Sequence, residues 1–135
     1  MQGSVFWMAP EVVRSQGQGY SAKVDIWSLG CVVLEMFAGR RPWAKEETIG
    51  AIYKLGSLNQ APPIPDDVSE TVSPNAINFM LNCFTIDPSE RPTAETLLKH
   101  DPFCGVDPYY NFLDTELHSK IKDMKESVQY TGSQH

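Results

Sequence analysis

The residues best suited to chemistry are dispersed along this chain. Cys31, Cys83 and Cys104 lie far apart, are odd in number and fit no metal-type spacing. Cys31 and Cys83 read instead as small core residues of a protein from a reducing compartment. His100, His118 and His135 are equally scattered, so no metal centre is expected. No G-x-G-x-x-G run is present to cradle phosphates on backbone amides. More informative are two carboxylates set in apolar surroundings. Between Val24 and Phe37, Asp25 and Glu35 are the charged residues. On a helix their separation places them roughly 80° apart around the axis, so they serve different neighbours. If buried, each needs a partner, because an unpaired buried charge is costly.

The elements that must hold these groups are helices divided by Pro- and Gly-rich turns. Pro10 suits the first position of a short helix through Glu11, Val12 and Val13. Gln16-Gly17-Gln18-Gly19 reads as a turn. Ser21 can cap a helix from about Ala22 to Ala38, stopped by Gly39. That helix is apolar on nearly every side and is expected at the centre of a domain. A shorter helix follows with Ile49, Ile52 and Tyr53 on one face, ending at Gly56. Ala61-Pro62-Pro63-Ile64-Pro65 must be extended. Ser73 and Pro74 open a helix with the stripe Ile77, Met80, Leu81 and Phe84, which Pro88 stops. Thr93 caps another short helix carrying Leu97 and Leu98, and Pro102 and Phe103 close this part. A last helix, from Asp114 to about Ser127, lines Leu113, Leu117, Ile121, Met124 and Val128 along one face, with residues from Tyr130 frayed. Its mixed charge favours docking onto the domain over membrane or calmodulin binding.

The chain has 135 residues, 41% hydrophobic and 21% charged, enough apolar material for a core. Its net charge of -6, split evenly about His100, argues against a nucleic-acid surface. The beginning lacks the basic and apolar runs of a signal peptide. The longest apolar stretch, Cys31 to Ala38, is too short to span a bilayer.

Three motifs add a resemblance. Gly3-Ser4-Val5-Phe6-Trp7-Met8-Ala9-Pro10-Glu11 resembles the substrate-recognition loop and A-P-E signature of eukaryotic protein kinases. Tyr20-Ser21-Ala22-Lys23-Val24-Asp25-Ile26-Trp27-Ser28-Leu29-Gly30 resembles the start of the kinase central helix. Asp87-Pro88-Ser89-Glu90-Arg91-Pro92-Thr93 resembles the loop near the end of the large lobe. Together they imply a mainly α fold, the C-terminal helical portion of a kinase large lobe and an incomplete domain. Residues 1–103 would be the partial kinase domain and residues 104–135 an extension with one amphipathic helix. Trp7-Met8, Cys31-Val32-Val33-Leu34-Glu35-Met36 and Gly39-Arg40-Arg41-Pro42-Trp43 are most similar to mitogen-activated protein kinase kinase kinases, with phrasing like the fungal member of the cell-wall-integrity cascade.

The resemblance implies roles for particular residues. Glu11 and Arg91 would form an ion pair locking the recognition loop to the end of the lobe; the alternative is two surface charges. Asp25 would accept backbone hydrogen bonds from the catalytic loop, or else sit as a helix N-terminal charge. Ser4 would contact the catalytic aspartate and lysine. Val5, Phe6 and Trp7 would form the pocket for the substrate residue after the phosphorylated one. Glu35 would read a basic residue upstream of it, or pair with Arg40 or Arg41. Trp27 and Trp43 read as core.

An intact kinase uses ATP and Mg2+, held by a glycine-rich loop, a lysine, a catalytic aspartate and an asparagine. Ala51-Ile52-Tyr53-Lys54 is no strand lysine motif, Lys99-His100-Asp101 is not H-R-D, and nothing reads D-F-G. Those parts precede A-P-E in a kinase, so Met1 reads as an internal methionine of a longer protein. The expected function is thus that of a serine/threonine kinase fragment, inactive alone. It would bind no cofactor itself and be cytoplasmic, with a downstream MAP kinase kinase as protein substrate and the missing N-terminal kinase portion as partner. The alternatives are a noncatalytic interaction module or a pseudokinase remnant.

Overall fold

The computed structural model describes residues 5–15 and 21–133. The turn read at residues 16–19, together with Ser4 and Tyr20, lies outside the described residues. Among the described residues seven α-helices follow in order: α1 (Pro10–Ser15), α2 (Lys23–Ala38), α3 (Thr48–Ile52), α4 (Asp66–Thr71), α5 (Pro74–Cys83), α6 (Ala94–His100) and α7 (Glu116–Ser133). Among the described residues there is no strand. The chain divides into two compact units, residues 1–105 and residues 106–135.

In the first unit, α2 is the axis. The Ser21 hydroxyl accepts from the Lys23 amide at 3.2 Å. At the other end Gly39 takes a left-handed φ of 71°, and its amide closes on the Glu35 carbonyl at 2.9 Å. That conformation is open to glycine at no steric cost. Ile26, Trp27, Gly30, Cys31 and Leu34 form the buried face of α2. Their closest neighbour is α5. A Cβ on Gly30 would sit 2.6 Å from Cys83 Cβ and 3.0 Å from Phe84 Cε1, so glycine here sets how near the two helices can approach. Trp27 is fully buried, its ring 5.3 Å from that of Phe84.

The opposite face of α2 departs from the expectation of burial on all sides. Leu29 is 42% exposed, Val32 44% and Met36 77%. With Asp25 they recur at four- and three-residue steps, a stripe about 180° from Trp27.

Local signals account for most boundaries and miss some. Ser73 Oγ accepts from Ala76 N at 3.2 Å with Pro74 in the first turn, and Thr93 Oγ1 accepts from Thr96 N at 3.0 Å. Residues 61–65 are free of helix, as consecutive prolines require. The following short helix α4 was not evident, and it buries Val68 as its core contact. α5 ends at Cys83, well before Pro88, and Phe84 at its C-cap lies against Trp27. Its buried positions are Ala76, Phe79, Met80 and Cys83, whereas Leu81 is 53% exposed. α3 gives way at Tyr53 to a widened π turn through Ser57, with Ala51 and Leu55 inward and Ile49 and Tyr53 outward. Leu97 is buried on α6 while Leu98 is exposed.

In the second unit, a 3₁₀ turn at Phe112–Asp114 precedes α7. Thr115 Oγ1 accepts from His118 N at 3.1 Å, and the Phe112 ring meets His118 edge-on at 5.6 Å. The α7 backbone stays helical to Ser133, beyond the end expected near Ser127. No helix among the described residues is long and apolar enough to cross a membrane.

Candidate functional site

Arg91 organises the first unit. Its side chain is fully buried, an unusual place for a guanidinium, and all five of its N–H donors are used. Nη1 donates to Glu11 Oε2 at 2.8 Å and Nη2 to Glu11 Oε1 at 2.9 Å, a bidentate pair. Nε donates to the Thr85 carbonyl at 2.9 Å, Nη1 also to the Lys23 carbonyl at 2.8 Å, and Nη2 to the Ile86 carbonyl at 3.3 Å. Glu11 keeps 19% of its side chain exposed, so the carboxylate reaches the protein surface while the guanidinium does not. The Trp27 ring lies beneath, 5.1 Å from Arg91 Cζ, close enough for cation–π attraction.

Lys23 returns the contact. Its ammonium donates to the Pro88 carbonyl at 2.9 Å and to the Arg91 carbonyl at 2.6 Å. Two side chains from distant parts of the chain thereby satisfy each other's backbone carbonyls. The loop is stiffened further by Asp87, whose Oδ1 accepts from the Ser89 amide and hydroxyl at 2.9 and 2.8 Å. The Ser89 hydroxyl is the main reason the Asp87 carboxyl is held below its usual range. This node joins α1, the start of α2 and the loop before α6.

Next to it lies the segment Val5–Trp7, a single 3₁₀ turn closed from Met8 N to Val5 O at 3.1 Å. Val5 is buried, and Phe6 and Trp7 are partly so. α2 holds the turn at two points. Ser28 Oγ donates to the Trp7 carbonyl at 3.0 Å, and Trp7 Nε1 donates to Glu35 Oε1 at 3.0 Å. From the other side, the Arg41 guanidinium stacks on the Phe6 ring with Cζ 3.8 Å from the centroid. Arg41 also donates to the carbonyls of Trp43 at 2.6 Å and Glu46 at 2.9 Å. Those bonds support a loop in which the buried Trp43 adopts a φ of 60°, a costly value for a bulky residue.

The structure thus brings Glu11 and Arg91 together, and Trp7 and Glu35 together. Glu35 pairs with neither Arg40 nor Arg41: Arg40 forms a bidentate pair with Asp67 at 2.8 and 3.2 Å. Asp25 stands apart from both groups, exposed on the first turn of α2, with no side-chain hydrogen bond among the described residues. Ser4 lies outside the described residues. Trp27 Nε1 has no oxygen or nitrogen acceptor among the described residues; the Cys31 sulfur beside it is a weak acceptor. Burial raises the Cys31 and Cys83 thiols, the latter to about 12, as expected of inert core cysteines. Lys23 and Ser28 were not singled out from sequence, and Arg41 was considered there only as a partner for Glu35. Their partners are backbone carbonyls and a ring face, which leave no pattern in the residue order.

The A-P-E helix is clamped by an arginine to a later loop, beside a short apolar turn strapped to the central helix. A profile of the protein kinase domain matches residues 1–103. The chain belongs to the protein kinase family, whose members use ATP and Mg2+. Within that family it is similar to fungal mitogen-activated protein kinase kinase kinases. It is 78% identical over 125 residues to the one named bck1 in Aspergillus fumigatus, covering 90% of this chain and 8% of that one. It is 70% identical over 122 residues to MCK1 of Pyricularia oryzae, with 90% and 8% covered. To the serine/threonine-protein kinase BCK1/SLK1/SSP31 of Saccharomyces cerevisiae it is 55% identical over 122 residues, again with 90% and 8% covered. The chain spans about 8% of the length of these curated relatives.

Proposed function

We propose that this chain supplies the substrate-recognition and bracing part of a serine/threonine kinase that phosphorylates a downstream MAP kinase kinase in the cytoplasm. The observation that carries this reading is the five-donor Arg91 node, which fixes the A-P-E helix against α2. A recognition turn tied to a rigid helix can hold a peptide at a set distance from the reacting groups, and positioning is most of what phosphoryl transfer needs from protein. In this reading Val5, Phe6 and Trp7 wall the pocket for the residue after the phosphorylated one. Glu35, with one oxygen held by Trp7, offers the other to a basic residue upstream. Ser4 would contact the catalytic aspartate and lysine. Asp25 and the stripe Leu29, Val32 and Met36 would be covered by the kinase portion that precedes A-P-E, with Asp25 accepting backbone N–H groups from it. Glu11, Arg91, Asp25 and Trp27 are structural in this scheme.

ATP and Mg2+ serve the complete kinase, and the residues of this chain do not fit them. The sequence has no glycine-rich loop, H-R-D or D-F-G. Among the described residues no group of three His, Cys, Asp or Glu could hold a metal ion. The isolated chain is expected to be inactive. The test is labelled-phosphate transfer to a kinase-dead MAP kinase kinase, comparing the pure chain with a complete kinase domain that contains it. Transfer is expected from the complete domain alone. Turnover by the pure chain would refute the assignment of roles, and silence from both would favour a noncatalytic interaction module.

A further inference from the structure

α7 carries an apolar seam that the kinase reading does not use. Leu117 is 58% exposed, Met124 67% and Val128 71%, and Ile121 is partly buried between them. Their 4-3-4 spacing puts all four within an arc of roughly 60°, a narrow stripe of the coiled-coil type. Ile121, Met124, Lys125 and Val128 border a shallow concavity. Positions i, i+3, i+4 and i+7 are the four that form a hole for a side chain of a facing helix.

The flanks of the seam have one sign. Counting 100° per residue, Lys120 and Lys125 lie roughly 70° to either side of the stripe's centre, and His118 beside Lys125. Glu116, Asp123 and Glu126 lie more than about 100° away. Lys125 has no ion-pair partner among the described residues, and Lys120 is joined to Glu116 at 3.1 Å in an exposed pair worth little. With Ile121 at the first seam position of a heptad, Lys120 and Lys125 take the two flanking positions. In a parallel pair of identical helices those two positions face each other and set lysine against lysine. In an antiparallel pair that overlaps the seam, Lys125 faces His118 and Lys120 faces Ser127, so neither lysine meets a carboxylate. A membrane fits no better, since residues 116–128 hold three acidic and three basic side chains and no aromatic one.

We infer that α7 is a docking helix for a partner of opposite character, an amphipathic helix whose apolar seam is bordered by Glu or Asp. The two lysines select that partner over a second copy of this chain.

The test uses the full chain and synthetic three-heptad helices with leucine at the seam positions. One peptide carries Glu on both flanks, the other Lys. Peptide-induced changes in α7 amide exchange report binding. The Glu-flanked peptide should bind, weakly and with salt sensitivity, and the Lys-flanked one about tenfold less well. The Lys120→Glu/Lys125→Glu chain should reverse that order, which a loss of folding could not produce. Equal binding of both peptides, or of neither, would overturn the inference. So would concentration-dependent self-association in sedimentation that Met124→Asp abolishes, or recruitment of α7 to vesicles one-third in phosphatidylserine. None of these readouts depends on phosphoryl transfer, so the kinase reading can fail without deciding this one.

Discussion

The two faces of α2 are made of similar residues and meet opposite conditions. On one, Trp27 sits under a guanidinium with no donor left over, while Gly30 and Cys31 press against α5. On the other, Asp25 has no side-chain hydrogen bond among the described residues, and Leu29, Val32 and Met36 are exposed. The contrast shows that the apolar character of a helix does not by itself report what covers it. It also separates the face that holds this unit together from the face free to take on another partner.

Three variants would sharpen or break that contrast. The largest effect should come from Arg91→Ala, which strands Glu11 and three backbone carbonyls. Losing one partner of such a pair costs about 3–5 kcal/mol, and denaturant unfolding should show it. A loss below about 1 kcal/mol would mean that the node merely decorates the fold. Gly30→Ala comes next. Its new methyl would have to displace Cys83 and Phe84, overpacking that costs about 1–3 kcal/mol and is readable as a lowered Tm. Smallest on stability should be Leu29→Gln with Val32→Gln on the open face, within about 0.5 kcal/mol per site. That pair should nonetheless reduce aggregation in light scattering, because it breaks up an exposed apolar stripe. A large destabilisation there would make both faces equal contributors and abolish the distinction.

Legibility from sequence followed the range of each interaction. Caps at Ser73 and Thr93, the left-handed Gly39 and the extended prolines act within a few residues, and all were readable. Periodicity located helices but erred by part of a turn in choosing faces: Phe79 rather than Leu81 is inward on α5, and Leu55 rather than Tyr53 after α3. A stripe at 3.6 spacing fixes an arc, and a neighbour's shape decides which edge of the arc is covered. α4 escaped because Val68 gives it no stripe to read. Within the site, the motifs, through resemblance and not spacing, drew Glu11 and Arg91 into one frame. The straps from Ser28 to the Trp7 carbonyl and from Arg41 to the Phe6 ring depend on backbone atoms and ring faces brought close only by folding.

The handshake between Lys23 and Arg91 also has a timetable. Glu11 is separated from Arg91 by 80 positions. At the usual pace of ribosomal synthesis, about 5–20 residues per second, the glutamate would wait roughly 4–16 s for its arginine. Once made, the nascent α2 would lack its α5 neighbour until Cys83 is added and its guanidinium lid until Arg91 is. A chain assembled in this order depends on whatever shelters it at the ribosome, and slow codons between α2 and α5 would lengthen the danger.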